Sequence, residues 1–82
     1  MQRQSFPKEE ALEKVGKTVK TKIEFSGVPK GTVGEVLRPF EGDFDKQGNI
    51  ISLPIRWNRF QRDKLIDWFS KQEYYKFLEE IR

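Results

Sequence analysis

Between Thr18 and Phe25 apolar and polar residues alternate, with Val19, Thr21, Ile23 and Phe25 on one side and Thr18, Lys20, Lys22 and Glu24 on the other. That period predicts a half-buried antiparallel strand. Residues 26–31 then turn the chain, with Pro29 and Gly31 suited to the second and fourth positions of a type I turn. A second strand is expected over 32–37, ended by Pro39, and Gly34 within it predicts a bulge or a close backbone approach. Residues 40–49 form a loop rich in acids and glycine. From Ile50 a third strand places Ile51, Leu53, Ile55 and Trp57 on one face, and Pro54, which has no N–H to donate, argues for a sheet edge or a bulge. After the polar link 58–64, residues 65–69 read as a short fourth strand or an extended lead-in to the helix. Ser70-Lys71-Gln72-Glu73 is a capping box, with Phe69 placed to staple against Tyr74. Tyr74, Phe77, Leu78 and Ile81 follow at helical spacing and predict a helix over 71–81. Near the other end, residues 7–16 read as a short helix with Pro early, acids in the first turn, Gly as its stop, and Ala11, Leu12 and Val15 as its apolar face. Residues 1–5 are polar and expected to fray.

Short, bent strands with glycines at the corners point to a mainly β fold: a small, partly open barrel of about five short antiparallel strands, with a short N-terminal helix and a C-terminal helix. No repeat and no long linker divides the chain, so residues 1–82 are expected to be one domain. At 9.8 kDa such a domain buries only about 60% of its unfolded surface, which favours a surface that binds over a deep pocket that reacts.

The chain has no cysteine and no histidine. Thiolate and imidazole metal sites, disulfides and His-dependent nucleophilic dyads are thereby excluded, and a non-enzymatic role with no cofactor is expected. Its 16 Lys and Arg against 13 Asp and Glu leave a net charge of +3, too near balance to dictate a partner. No apolar run approaches a membrane span, and the opening Met1-Gln2-Arg3-Gln4-Ser5 lacks a signal-peptide core, so a cytoplasmic protein is expected.

Residues 23–36, Ile-Glu-Phe-Ser-Gly-Val-Pro-Lys-Gly-Thr-Val-Gly-Glu-Val, resemble the KOW motif of SH3-like small barrels, with Gly27, Gly31 and Gly34 carrying the match. That hairpin, followed by Pro-Ile-Arg-Trp, Asp-Trp-Phe-Ser and a final helix, is also similar to small uncharacterised cyanobacterial proteins with SH3-like folds. The resemblance implies a barrel hairpin and a binding role, toward RNA or toward other proteins. The chain departs from ribosomal relatives in its extra helix at each end and in lacking their dense basic loops.

Arg56-Trp57-Asn58-Arg59-Phe60-Gln61-Arg62-Asp63-Lys64 interleaves cations with aromatics and amides, a mixture that tracks phosphates and stacks bases, or that simply solubilises a loop beyond a buried Trp57. Lys20, Lys22, Lys30 and Arg38 would extend a basic face or protect an edge strand from aggregation. Phe40, Phe44, Phe60, Trp68 and Tyr75 are more aromatics than a small core easily hides; they either anchor a protein interface as exposed rings or close the two ends of the barrel beneath the helices. Asp43 to Ile50 begins like a calcium loop, but Pro54 stands where the twelfth-position glutamate belongs, leaving an acidic loop. Asp63, Asp67 and Glu73 show no acid/base constellation, and Glu73 is explained by capping. The expected partner-contact residues are Arg56, Arg59, Phe60, Arg62, Lys64, Trp68 and Tyr75, with an unidentified protein as partner and no membrane. The alternative is RNA or single-stranded DNA held by the basic and aromatic segment.

Overall fold

The computed structural model describes residues 5–25, 27–58 and 66–81. Helix α1 is Lys8–Lys14, and strands β1 (Thr18–Thr21), β2 (Val33–Val36), β3 (Leu53–Trp57) and β4 (Ile66–Phe69) follow, then helix α2 (Lys71–Phe77) and strand β5 (Leu78–Ile81). The five strands form one open antiparallel sheet in the order β4-β3-β2-β1-β5, which is the mainly β architecture that the alternation implies. The stretch from β1 to β4 is a meander, and α2 carries the chain from one outer strand to the other.

One face of the sheet holds the core. Val19, Val36, Leu53, Ile55, Trp57, Phe69 and Leu78 come from the strands and meet Phe6, Ala11 and Tyr74 from the helical side. Phe25, Phe69 and Phe77 stack with centroid distances of 4.7 Å (Phe25–Phe69) and 4.9 Å (Phe25–Phe77). Phe6, just outside the stretch expected to fray, is fully buried; it exchanges backbone hydrogen bonds with Ile50 at 2.8 and 2.9 Å and packs edge-on against Tyr74. Residues 1–4 of that stretch lie outside the described residues.

Several expectations need correction. The helix predicted over 71–81 stops at Phe77, where Leu78 turns extended (φ −119°, ψ 147°) and opens β5, paired with the outer edge of β1. Tyr74 and Leu78 are buried as the helical stripe requires and Phe77 is partly buried, but Ile81 is 38% exposed. The pairing satisfies four residues of backbone on β1, a tertiary gain that outweighs four more residues of helix propensity.

β1 is also shorter than its alternation. Beyond Thr21 the chain leaves the sheet, so Ile23 is exposed, while Phe25 closes a local bridge with Val28. The turn hydrogen bond runs from the Thr32 N–H to the Pro29 carbonyl at 3.2 Å, which makes Pro29 the first residue of that turn and Gly31, at φ +87°, the third. A left-handed third position belongs to turns of the type II kind, not type I. On β3 the buried residue before the strand is Ile50, with Ile51 half-buried. On α1 only Ala11 is buried, and Leu12 faces solvent.

Pro54 lies not at an edge but in an interior strand, between β2 and β4. Its carbonyl accepts the Leu37 N–H at 2.9 Å, one residue past the end of β2. The absent N–H therefore falls where the β2–β3 ladder is already ending and costs little. Gly34 answers the expectation of close approach: an added Cβ would lie 2.7 Å from the Trp57 ring and 2.9 Å from the Arg56 carbonyl.

Candidate functional site

The outer face of the sheet is set by register. Pro54 on β3 stands opposite Trp68 on β4, and Arg56 stands opposite Ile66 and, on β2, Glu35. Asp67 and Phe69 point inward, which leaves Trp68 outward and 43% exposed. Phe40, in the segment after β2, packs edge-to-face on Trp68 with centroids 5.8 Å apart and is itself 44% exposed. Two large rings thus share one outward surface, and strand register sets the second of them over a buried proline.

A carboxylate fixes this pair. Residues Glu41–Asp43 form a single 3-10 turn that Asp43 closes onto the preceding residue, Phe40. The Asp43 N–H donates to the Phe40 carbonyl at 2.9 Å, and Asp43 Oδ2 accepts the Phe40 N–H at 2.8 Å and the Trp68 indole N–H at 3.3 Å. Asp43 is buried, at 9% exposure, and no described Lys or Arg pairs with it. The next acid serves its own loop: Asp45 Oδ1 accepts the N–H groups of Gln47 and Asn49, both at 2.9 Å. The calcium-like spelling therefore resolves into two backbone-capping aspartates, and no group of three metal-ligating acids occurs among the described residues.

Of the seven expected contact residues, three are described. Arg56 and Trp68 share the outer face on adjacent strands; Arg56 is exposed and paired with Glu35 at 3.1 Å. Tyr75 is 45% exposed, but it belongs to a different cluster, where its hydroxyl donates to Glu10 of α1 and its ring packs edge-on to Tyr74 at 5.3 Å. Arg59, Phe60, Arg62 and Lys64 lie outside the described residues. Phe44 is outward too, at 39% exposure. Trp57 is buried, and its indole donates to Asp67 at 2.9 Å, so that ring belongs to the core and Asp67 to its support.

The basic residues of the first hairpin are dispersed. Lys22 Nζ donates to the Tyr75 carbonyl at 2.8 Å, Lys20 faces Glu79 at 3.8 Å, and Lys30 borders an open depression of about 520 Å³ with Gly31, Thr32, Val33 and Asn58. The Gly31 and Thr32 N–H groups there already donate to Thr21 and Pro29. Lys30 is thus the one charged group among the described lining residues.

A second polar cluster joins α1 to the end of the chain. Glu10 accepts from Tyr75 and pairs with Lys71 at 3.0 Å; Glu80 Oε2 accepts from Lys14 at 2.8 Å and from the Tyr74 hydroxyl at 2.9 Å. The Tyr75 hydroxyl, and behind it Lys71 and Lys14, hold Glu10 below the ordinary carboxylate range despite burial, and the Lys14 bond does the same for Glu80. Burial first and the Glu80 bond second push the Tyr74 hydroxyl far up. Every member has a partner within the cluster, which makes it a clamp between elements. Its acids are spread over α1 and β5, so sequence spacing does not show it.

No helix among the described residues is long and apolar enough to cross a membrane. Comparison with protein-family models, with curated proteins and with solved structures finds no match.

Proposed function

We propose that this chain is a non-enzymatic binding module of the SH3-like small-barrel type that docks another protein through the outer face of β3 and β4. The observation that carries the reading is the Phe40–Trp68 pair, two exposed rings locked edge-to-face by a shared carboxylate. Rings held in place before binding lose little conformational entropy when a partner covers them, which is what an interface anchor requires. Pro54, buried beneath Trp68, backs that ring from below, and Arg56 with Glu35 borders the pair as a polar rim. The antiparallel β1–β4 meander and the helix before the last strand support the small-barrel reading, with the hairpin formed by β1 and β2 around the 22–32 loop.

The test is capture from native extract on the immobilised full chain, with and without nuclease, at low and moderate salt, beside a Phe40→Ala/Trp68→Ala variant. Both rings are partly exposed and outside the core, so the variant is expected to keep the wild-type far-ultraviolet circular dichroism and a cooperative melt at a lowered midpoint, and capture is compared well below that midpoint. A protein retained through nuclease and moderate salt by the wild type and lost by the variant is the expected result. Equal retention by both would overturn the assignment. Nucleic acid held only at low salt, with proteins released on digestion, would instead favour the basic segment as the site, since phosphate contacts weaken steeply with salt.

A further inference from the structure

The aromatic pair has a charge beside it. Asp43 Oδ2 takes the indole N–H of Trp68 and the N–H of Phe40, and no described cation neutralises it. Segment 38–46 carries Glu41, Asp43 and Asp45 against Arg38 and Lys46, a net of −1, and Arg56 on the same face is already paired with Glu35. Glu41, at the start of the 3-10 turn, is exposed. An indole donating to a carboxylate gains electron density in its ring, and an electron-rich ring face attracts cations.

We infer that the Phe40–Trp68 pair, with Asp43 behind it and Glu41 at its rim, is a recognition site for an arginine side chain of the protein partner. The inference rests on the docking reading above and adds the chemistry of the group docked. Arginine suits the site better than lysine. Its planar, weakly hydrated guanidinium can lie flat on the exposed indole face while its N–H edge is directed at Glu41, whereas an ammonium keeps its water more strongly. The same acids repel phosphate, so a nucleic-acid strand is disfavoured at this face.

The probes are N-acetyl-arginine amide and N-acetyl-citrulline amide, equal in shape and different in charge, titrated into the ¹⁵N-labelled full chain. The Trp68 indole N–H resonance is the readout, and Trp57, buried on the opposite face, is the internal control. Arginine is expected to shift the Trp68 signal saturably and to bind about two- to fivefold more tightly than citrulline, the range of an exposed cation–π contact. Asp43→Asn keeps an oxygen acceptor for the turn and is expected to reduce that preference; Glu41→Gln, which touches no folding contact, should reduce it as well. Equal binding of the two probes, or a preference unchanged in both variants, would overturn the inference. Such a result would leave the capture experiment with the double alanine variant free to succeed, so the two readings fail separately.

Discussion

Gly34 shows what one residue can fix. A methyl group at its Cα would sit 2.7 Å from Trp57 Cε3 and 2.9 Å from both the Arg56 carbonyl and Ile55 Cγ2, and a backbone carbonyl in a paired strand has nowhere to go. Gly34→Ala should therefore cost about 2–3 kcal/mol, an overpacking penalty, and lower the melting temperature by roughly 10 °C or more. Gly42→Ala is the matched control: nothing lies within 4 Å of its added Cβ, and the change should stay within about 0.5 kcal/mol. Equal melting curves for the two variants would show that β2 and β3 are not in this register. A glycine inside a strand pattern announced the close approach from the sequence alone. Which atoms approach was not legible, because the Gly34↔Trp57 pairing depends on a long-range register. The same limit applies to the candidate site. Phe40 and Trp68 are readable as surplus aromatics, but their contact is long-range, and the Asp43 bond that steadies it joins residues 25 positions apart.

Among the elements, the C-terminal segment separates local from tertiary signals most clearly. The capping box at Ser70 was legible because every atom it uses lies within four residues: the Ser70 N–H donates to Glu73 Oε1 at 2.9 Å and the Glu73 N–H to Ser70 Oγ at 3.3 Å. The helix end was not legible. Tyr74, Phe77 and Leu78 turn toward the core whether the chain continues as helix or opens as a strand, so the hydrophobic period persists past the point where the helix stops. Ile81 alone distinguishes the two. A helix to residue 81 buries Leu78 and Ile81 together, while β5 buries Leu78 and leaves Ile81 opposite Thr18 at the surface. Leu78→Ala should thus cost about 2–4 kcal/mol and Ile81→Thr, which keeps a β-branched side chain, less than about 1 kcal/mol in urea unfolding. Comparable losses at both positions would contradict β5. Pro54 follows the same logic in reverse, since a residue that reads as an edge marker from its missing donor is accommodated inside the sheet at the last rung of the β2–β3 ladder, where its carbonyl still accepts the Leu37 N–H.

At the scale of the molecule, α1 is a seven-residue helix, too short to persist by itself, and it stays in place through Phe6, Ala11 and the clamp of Glu10, Lys14, Lys71, Tyr74, Tyr75 and Glu80. The clamp makes docking of α1 depend on pH with a definite sign. Glu10 and Glu80 both titrate lower in the folded protein than their ordinary value of 4.5, Glu10 chiefly through the Tyr75 hydroxyl and Glu80 chiefly through Lys14. A depressed carboxylate contributes stability that is full above its unfolded value and is lost as pH falls through the folded one. Tyr74 works at the other end. Its raised value means that stability is full below about 10, the ordinary tyrosine value, and declines as pH rises beyond it. Between these limits the clamp is intact. On acidification from pH 6 toward 3, the amides of α1 should lose hydrogen-exchange protection before those of β1 to β3, because both acids bridge α1 to the C-terminal segment and neither supports the central strands. A Glu10→Gln/Glu80→Gln variant should hold α1 less firmly at pH 6 and show a flatter acid limb. Loss of protection in α1 and the sheet at the same pH, with an acid limb unchanged in the variant, would mean that Phe6 and Ala11 alone hold the helix and that the charged clamp adds nothing to it.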